Sequence, residues 1–122
     1  MASLKRLDHL DVATADLADA ASVYERNFAF TVARQSDGTA TIRIGESQIR
    51  LVSGDAAAEA LAKTGEGMFG LWLEAEDVNE VASALQRARV RFELRTEPGR
   101  RILVVDPAGA NQVPLFIFDQ QT

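Results

Sequence analysis

Asp16-Leu17-Ala18-Asp19-Ala20-Ala21 and Asp77-Val78-Asn79-Glu80-Val81-Ala82 decide the fold, because each sets an aspartate ahead of an apolar, alanine-rich run. The two stretches stand 61 positions apart, and at the same offset Tyr24 meets Leu85 and Gly38 meets Gly99. That offset is half of the 122-residue chain, so the sequence reads as one unit written twice. Asp16 is placed to cap a helix from Leu17 to about Asn27, with Leu17, Ala20, Ala21, Tyr24 and Phe28 as its apolar stripe. Before it, Leu7–Thr14 alternates as a strand, with Leu10 and Val12 on one face and Leu7, His9 and Asp11 on the other. Strands are then predicted at Phe30–Gln35, Thr39–Ile44 and Gln48–Val52, with turns at Asp37-Gly38 and Gly45-Glu46.

The second copy repeats the order. Phe69–Ala75 reads as a strand, and Asp77 caps a helix through about Ala88 striped by Val78, Val81, Ala82 and Leu85. Strands follow at Arg91–Arg95, Arg101–Val105 and Gln112–Phe118. Ser53–Gly67 reads as a linker with a short helix over Ala56–Lys63. The expected fold class is therefore α+β, two tandem βαβββ modules forming a curved mixed sheet around a cleft. Its module bounds are 4–53 and 68–120, joined by the linker 54–67 in a single domain spanning 1–122. One helix covers only one face of a four-stranded sheet, which leaves the other face of each module for a small molecule.

Composition narrows the function. The chain is 47% hydrophobic and 25% charged, which excludes collagen-like and disordered readings. It has no cysteine, so disulfides, thiolate metal sites and a cysteine nucleophile are out. A net charge of −5 and a pI near 4.8 argue against a nucleic-acid partner, which needs a basic footprint. No apolar run suits a membrane span, and MASLKRLDHL lacks the apolar core of a secretory signal, so a cytoplasmic protein is expected. Only one histidine is present.

Leu7-Asp8-His9-Leu10, then Asp16-Leu17, Tyr24 and Phe28-Ala29-Phe30, together with Asp106-Pro107-Ala108-Gly109 before the last strand, resemble the vicinal oxygen chelate superfamily. That superfamily includes glyoxalase I, methylmalonyl-CoA epimerase, extradiol dioxygenases and bleomycin-resistance proteins. The resemblance runs through both modules. It implies about four metal-ligand stations, which fall here on His9, Arg50, Gly70 and Pro114. Only His9 can ligate a cation; a guanidinium, a hydrogen and a pyrrolidine fill the other three. No metal and no cofactor is therefore expected. The resemblance also implies a homodimer.

Alternation fills in the rest of the expected cleft. Ile49 and Leu51 face the helix, so Arg50 and Gln48 face the cleft, and Arg50 needs a carboxylate such as Asp11, Glu74 or a ligand acid. Trp72 shares a face with Gly70 and Glu74, opposite Leu71, Leu73 and Ala75, which offers an indole for stacking or for packing. Phe116 and Phe118 alternate with Leu115 and Ile117 and carry the same two readings. The arginines at 87, 89, 91, 95, 100 and 101 read as an ion-paired surface interrupted by Glu93 and Glu97.

The expected ligand-binding residues are thus His9, Asp11, Gln48, Arg50, Gly70, Trp72, Glu74, Pro114, Phe116 and Phe118. The expected function is metal-independent binding of a small organic molecule, in the manner of bleomycin-resistance proteins. The alternative is a glyoxalase-like lyase, epimerase or dioxygenase acting in the same cleft, with or without a metal. In a metal-free catalyst of that kind His9, Asp11 or Glu74 would act as base and Arg50 would stabilise an oxyanion.

Overall fold

Each aspartate of the repeat does what its position requires. In the computed structural model, which describes residues 4–110 and 113–120, Asp16 accepts a hydrogen bond from Asp19 N and Asp77 accepts one from Asn79 N. They open α1 (Leu17–Phe28) and α3 (Val78–Arg87). Strands β1 (Leu4–Ala13), β2 (Val32–Arg34), β3 (Thr39–Ile44) and β4 (Ser47–Val52) flank α1, and α2 (Asp55–Thr64) follows. Strands β5 (Gly67–Ala75), β6 (Phe92–Glu97), β7 (Arg100–Val105) and β8 (Leu115–Gln120) flank α3. No helix among the described residues is long and apolar enough to cross a membrane.

The chain forms two compact units, residues 9–69 and residues 1–8 with 70–122. Each is α+β with the same strand order. In the first unit β1 runs parallel to β4, and β3 then β2 add antiparallel, giving β2-β3-β4-β1. In the second unit β5 runs parallel to β8, and β7 then β6 add antiparallel, giving β5-β8-β7-β6. The βαβββ reading holds in both.

The helices cover the faces that alternation assigns them. Ala21 of α1 is fully buried against Val32, Ala40, Ile42 and Leu51, with Val12, Leu17, Ala20, Tyr24 and Ile49 around them. Val78 and Val81 of α3 pack on Ala75, Leu103, Val105 and Ile117. A third cluster carries information absent from the sequence pattern. Ala57 of α2, with Ala60 and Leu61, packs on Ala13, Val52 and Phe69, so α2 covers one end of the first unit's second face. Glu66, just past α2, accepts hydrogen bonds from Ala15 N and Thr14 Oγ1, both 3.0 Å, which hold its carboxyl below the usual glutamate range.

Four expectations are corrected. The last strand starts at Leu115 and runs to Gln120, not from Gln112 to Phe118; Gln112 itself lies outside the described residues. Pro114 precedes this strand, since it has no N–H for a ladder, although its carbonyl accepts from Leu71 N at 2.9 Å. The strand predicted at Phe30–Gln35 is only Val32–Arg34, because Ala29 ends α1 in the left-handed region (φ 56°) and the chain needs two more residues to reach the sheet. Phe28 is 57% exposed and lies outside the apolar stripe proper, stacking on Phe30 at 5.3 Å.

Asp119 anchors the second unit. Its carboxylate is 1% exposed as a residue, accepts from Val78 N at 2.8 Å, and takes Arg101 Nη2 at 2.5 Å. It thus satisfies an orphan amide of α3 from β8. Gly109 matters for a different reason, since a Cβ there would meet Val90 Cγ1 at 2.6 Å. Replacing Asp119→Ala should cost about 3 kcal/mol, from the unsatisfied buried donor and the partly desolvated guanidinium it leaves. Urea unfolding monitored by circular dichroism checks this, and a change below 1 kcal/mol, about the worth of one ordinary hydrogen bond, would contradict it.

Candidate functional site

The open strand face of the first unit is built by register. His9 lies beside Gln48 and Asp11 beside Arg50 across β1–β4, while Arg50 faces Thr41 and Gln48 faces Arg43 across β3–β4. Because Ile49 and Leu51 turn toward α1, these polar side chains share the other face. Asp11 is buried at 7% exposure, and two basic side chains converge on it. Arg50 Nε lies 3.2 Å and His9 Nε2 lies 3.5 Å from the same oxygen, Oδ1. The Arg50 approach is ionic and not aligned as a hydrogen bond. Of the partners open to Arg50 in the sequence, Asp11 is the one it takes.

Glu74 is engaged elsewhere. Buried at 5% exposure, it accepts from Arg6 Nε at 2.8 Å, with Lys5 Nζ 3.8 Å away. This pairing raises the Arg6 pKa, chiefly through the hydrogen bond to Glu74. Arg6 escaped the sequence reading because 68 residues separate it from Glu74 and no local pattern joins them.

In the second unit, Trp72, Phe116 and Phe118 come together. The indole stacks on Phe116 at 4.6 Å between centroids, 7° from parallel, and tilts against Phe118 at 6.2 Å. The Arg100 guanidinium lies over both, 5.4 Å from the Trp72 ring and 5.7 Å from the Phe118 ring. Strand pairing explains this, for Trp72 stands opposite Phe116 and Glu74 opposite Phe118 across β5–β8. Gly70 is buried and offers no side chain, and Pro114 sits at the mouth of β8. Arg95 pairs with Glu93 and Arg100 with Glu97 at the surface, as expected of the basic run, whereas Arg101 turns to the buried Asp119.

A recess of about 550 Å³ opens on the first unit, lined by Phe30, Thr31, Gln35, Thr41, Arg43 and Gln48 among others. Gln48 was expected at a site; Arg43 was not, though the alternation that selects Gln48 and Arg50 also puts Arg43 on this face.

These donors do not fit a divalent ion. Among the described residues no three histidine, aspartate or glutamate side chains converge, and the carboxylate nearest the only histidine already faces a guanidinium. A cation beside His9 would meet the fixed charge of Arg50.

Together, the tandem βαβββ units define a glyoxalase-type scaffold. The chain belongs to the Glyoxalase/Bleomycin resistance protein/Dioxygenase superfamily, whose model matches residues 6–109. Solved structures share the fold. A hypothetical protein from Bacillus halodurans C-125 has TM-score 0.74 and 21% identity, covering 96% of this chain and 95% of that one. Methylmalonyl-CoA epimerase from Mycobacterium tuberculosis has TM-score 0.74 and 21% identity, covering 100% and 92%. Streptomyces coelicolor methylmalonyl-CoA epimerase, in complex with 2-nitronate-propionyl-CoA, has TM-score 0.70 and 24% identity, covering 98% and 97%. No curated protein matches the chain.

Removing the Arg50 charge should expose the cost of burying Asp11. Arg50→Met should destabilise the protein by about 1–2 kcal/mol, less than for a fully buried pair because the arginine side chain is 43% exposed. Adding Asp11→Asn should recover part of the loss. Urea midpoints for the two single variants and the double variant measure the coupling, and strict additivity would dissolve the pair.

Proposed function

We propose that this protein binds a small organic molecule without a metal ion and releases it chemically unchanged. The observation that carries the reading is the contact of Arg50 with Asp11 at 3.2 Å, which sets a fixed positive charge beside the carboxylate nearest His9 and so disfavours a metal ion there. Metal-assisted polarisation of a carbonyl or enolate needs an open coordination position on an ion held by three or four donors. The residues present offer instead an orienting set of His9, Gln48 and Arg50, with the recess beside Gln48 supplying volume within the roughly 300–1,000 Å³ range of small-molecule sites.

Charge bookkeeping favours an uncharged or acidic ligand over a basic one. Asp11 is neutralised by Arg50, and Glu74 by Arg6 and Lys5. Neither carboxylate is left to greet an ammonium group. In the second unit Trp72 is already stacked on Phe116 under Arg100, so it serves as a packed wall and an optical reporter.

The epimerase alternative makes a different prediction at the substrate carbon. An epimerase exchanges the hydrogen of its stereocentre with solvent. Incubated with methylmalonyl-CoA in heavy water, the protein should leave the proton NMR signal of that carbon at the buffer rate, whether or not manganese or zinc is added. Enzyme-dependent loss of the signal would overturn the binding reading.

A further inference from the structure

We infer that the recess on the first unit is a site for a planar, singly charged organic anion, with Arg43 taking the anionic group and Phe30 the ring. The inference rests on the binding reading above and adds the class of ligand.

Arg43 differs from the other arginines of its unit. Arg34 holds Glu25 through two bonds of 3.0 and 2.8 Å, Arg50 faces Asp11, and Arg26 donates to Ser22 O. Arg43 has no carboxylate or hydrogen-bond partner among the described residues. No acidic residue lines the recess, in a chain that carries 18 acids against 13 bases. An uncompensated guanidinium in an acid-free hollow attracts an anion, and its planar fork matches a carboxylate bidentately.

The remaining walls select shape. Register across three strands sets Ala33, Thr41 and Arg50 in one row, with Arg43 and Gln48 in the next row along. Ala33 keeps the β2 side shallow, and Thr31, Gln35, Thr41 and Gln48 provide neutral hydrogen-bonding groups. Phe30 closes the hollow. Its ring is held by Phe28 at 5.3 Å and by Tyr24 at 6.3 Å, both near parallel, and it remains 40% exposed. Ala29, in the left-handed conformation at the end of α1, turns the chain so that Phe30 reaches this place. A fixed, partly bare ring next to an unpaired guanidinium suits an aromatic carboxylate.

The test is calorimetric titration of the full chain with 2-naphthoate, the neutral 2-naphthamide and the cationic 2-naphthylmethylammonium. The carboxylate should bind tightest and lose affinity as salt rises. Arg43→Ala should weaken it by about tenfold or more, as loss of a charge-assisted contact does, and Arg43→Lys by less. Phe30→Leu should also weaken it, and Arg26→Ala, which removes an arginine outside the recess lining, should not. Unligated melting temperatures of the variants, near that of the parent, show that folding is intact. Equal affinity for carboxylate and amide, or unchanged binding in Arg43→Ala, would overturn the anion site while leaving a binding protein. If none of the three compounds binds at millimolar concentration, the anion site falls; if the naphthoate binds through Arg43 and is consumed, the binding-only reading falls while the anion site stands.

Discussion

A buried carboxylate must be answered by positive charge, and in the first unit the answer to Asp11 is Arg50. That constraint fixes the character of the whole open face. The guanidinium is set beside Asp11 by strand register and cannot leave without stranding that carboxylate. His9, the only imidazole in the chain, has Nε2 3.5 Å from the same oxygen.

The second unit solves a parallel problem differently. Its buried carboxylate, Asp119, lies on the helix side, where it takes the first amide of α3 and the guanidinium of Arg101. The hydrogen bond to Asp119 is the main cause of the raised Arg101 pKa. Its open face is aromatic, with the parallel pair of Trp72 and Phe116 under Arg100. The two units therefore share the backbone plan and the helix caps, while the chemistry of their open faces differs.

Much of this was legible because it is local. An aspartate before an alanine-rich run specifies a cap and a stripe, and Asp16 and Asp77 both deliver them. Thr39–Ile44 matches β3 residue for residue, since Asp37 accepts from Thr39 and Gly38 (φ 84°) supplies the turn. Period-two alternation also separated Ile49 and Leu51 from Gln48 and Arg50. The parts that were not legible depend on distant partners. Glu74 is claimed by Arg6, α2 folds back onto Ala13 and Val52, and Arg43 gains its meaning only when three strands and Phe30 surround it. Phe28 misled because helical spacing says which side a residue is on, and not where the sheet beneath it ends.

The central claim is that positive charge has displaced ion chemistry from this scaffold, and equilibrium dialysis against micromolar manganese, cobalt and zinc, followed by elemental analysis, tests it most directly. The account predicts well under one ion per chain for each metal at neutral pH. One tightly held ion per chain, lost on replacing His9 by alanine, would contradict it.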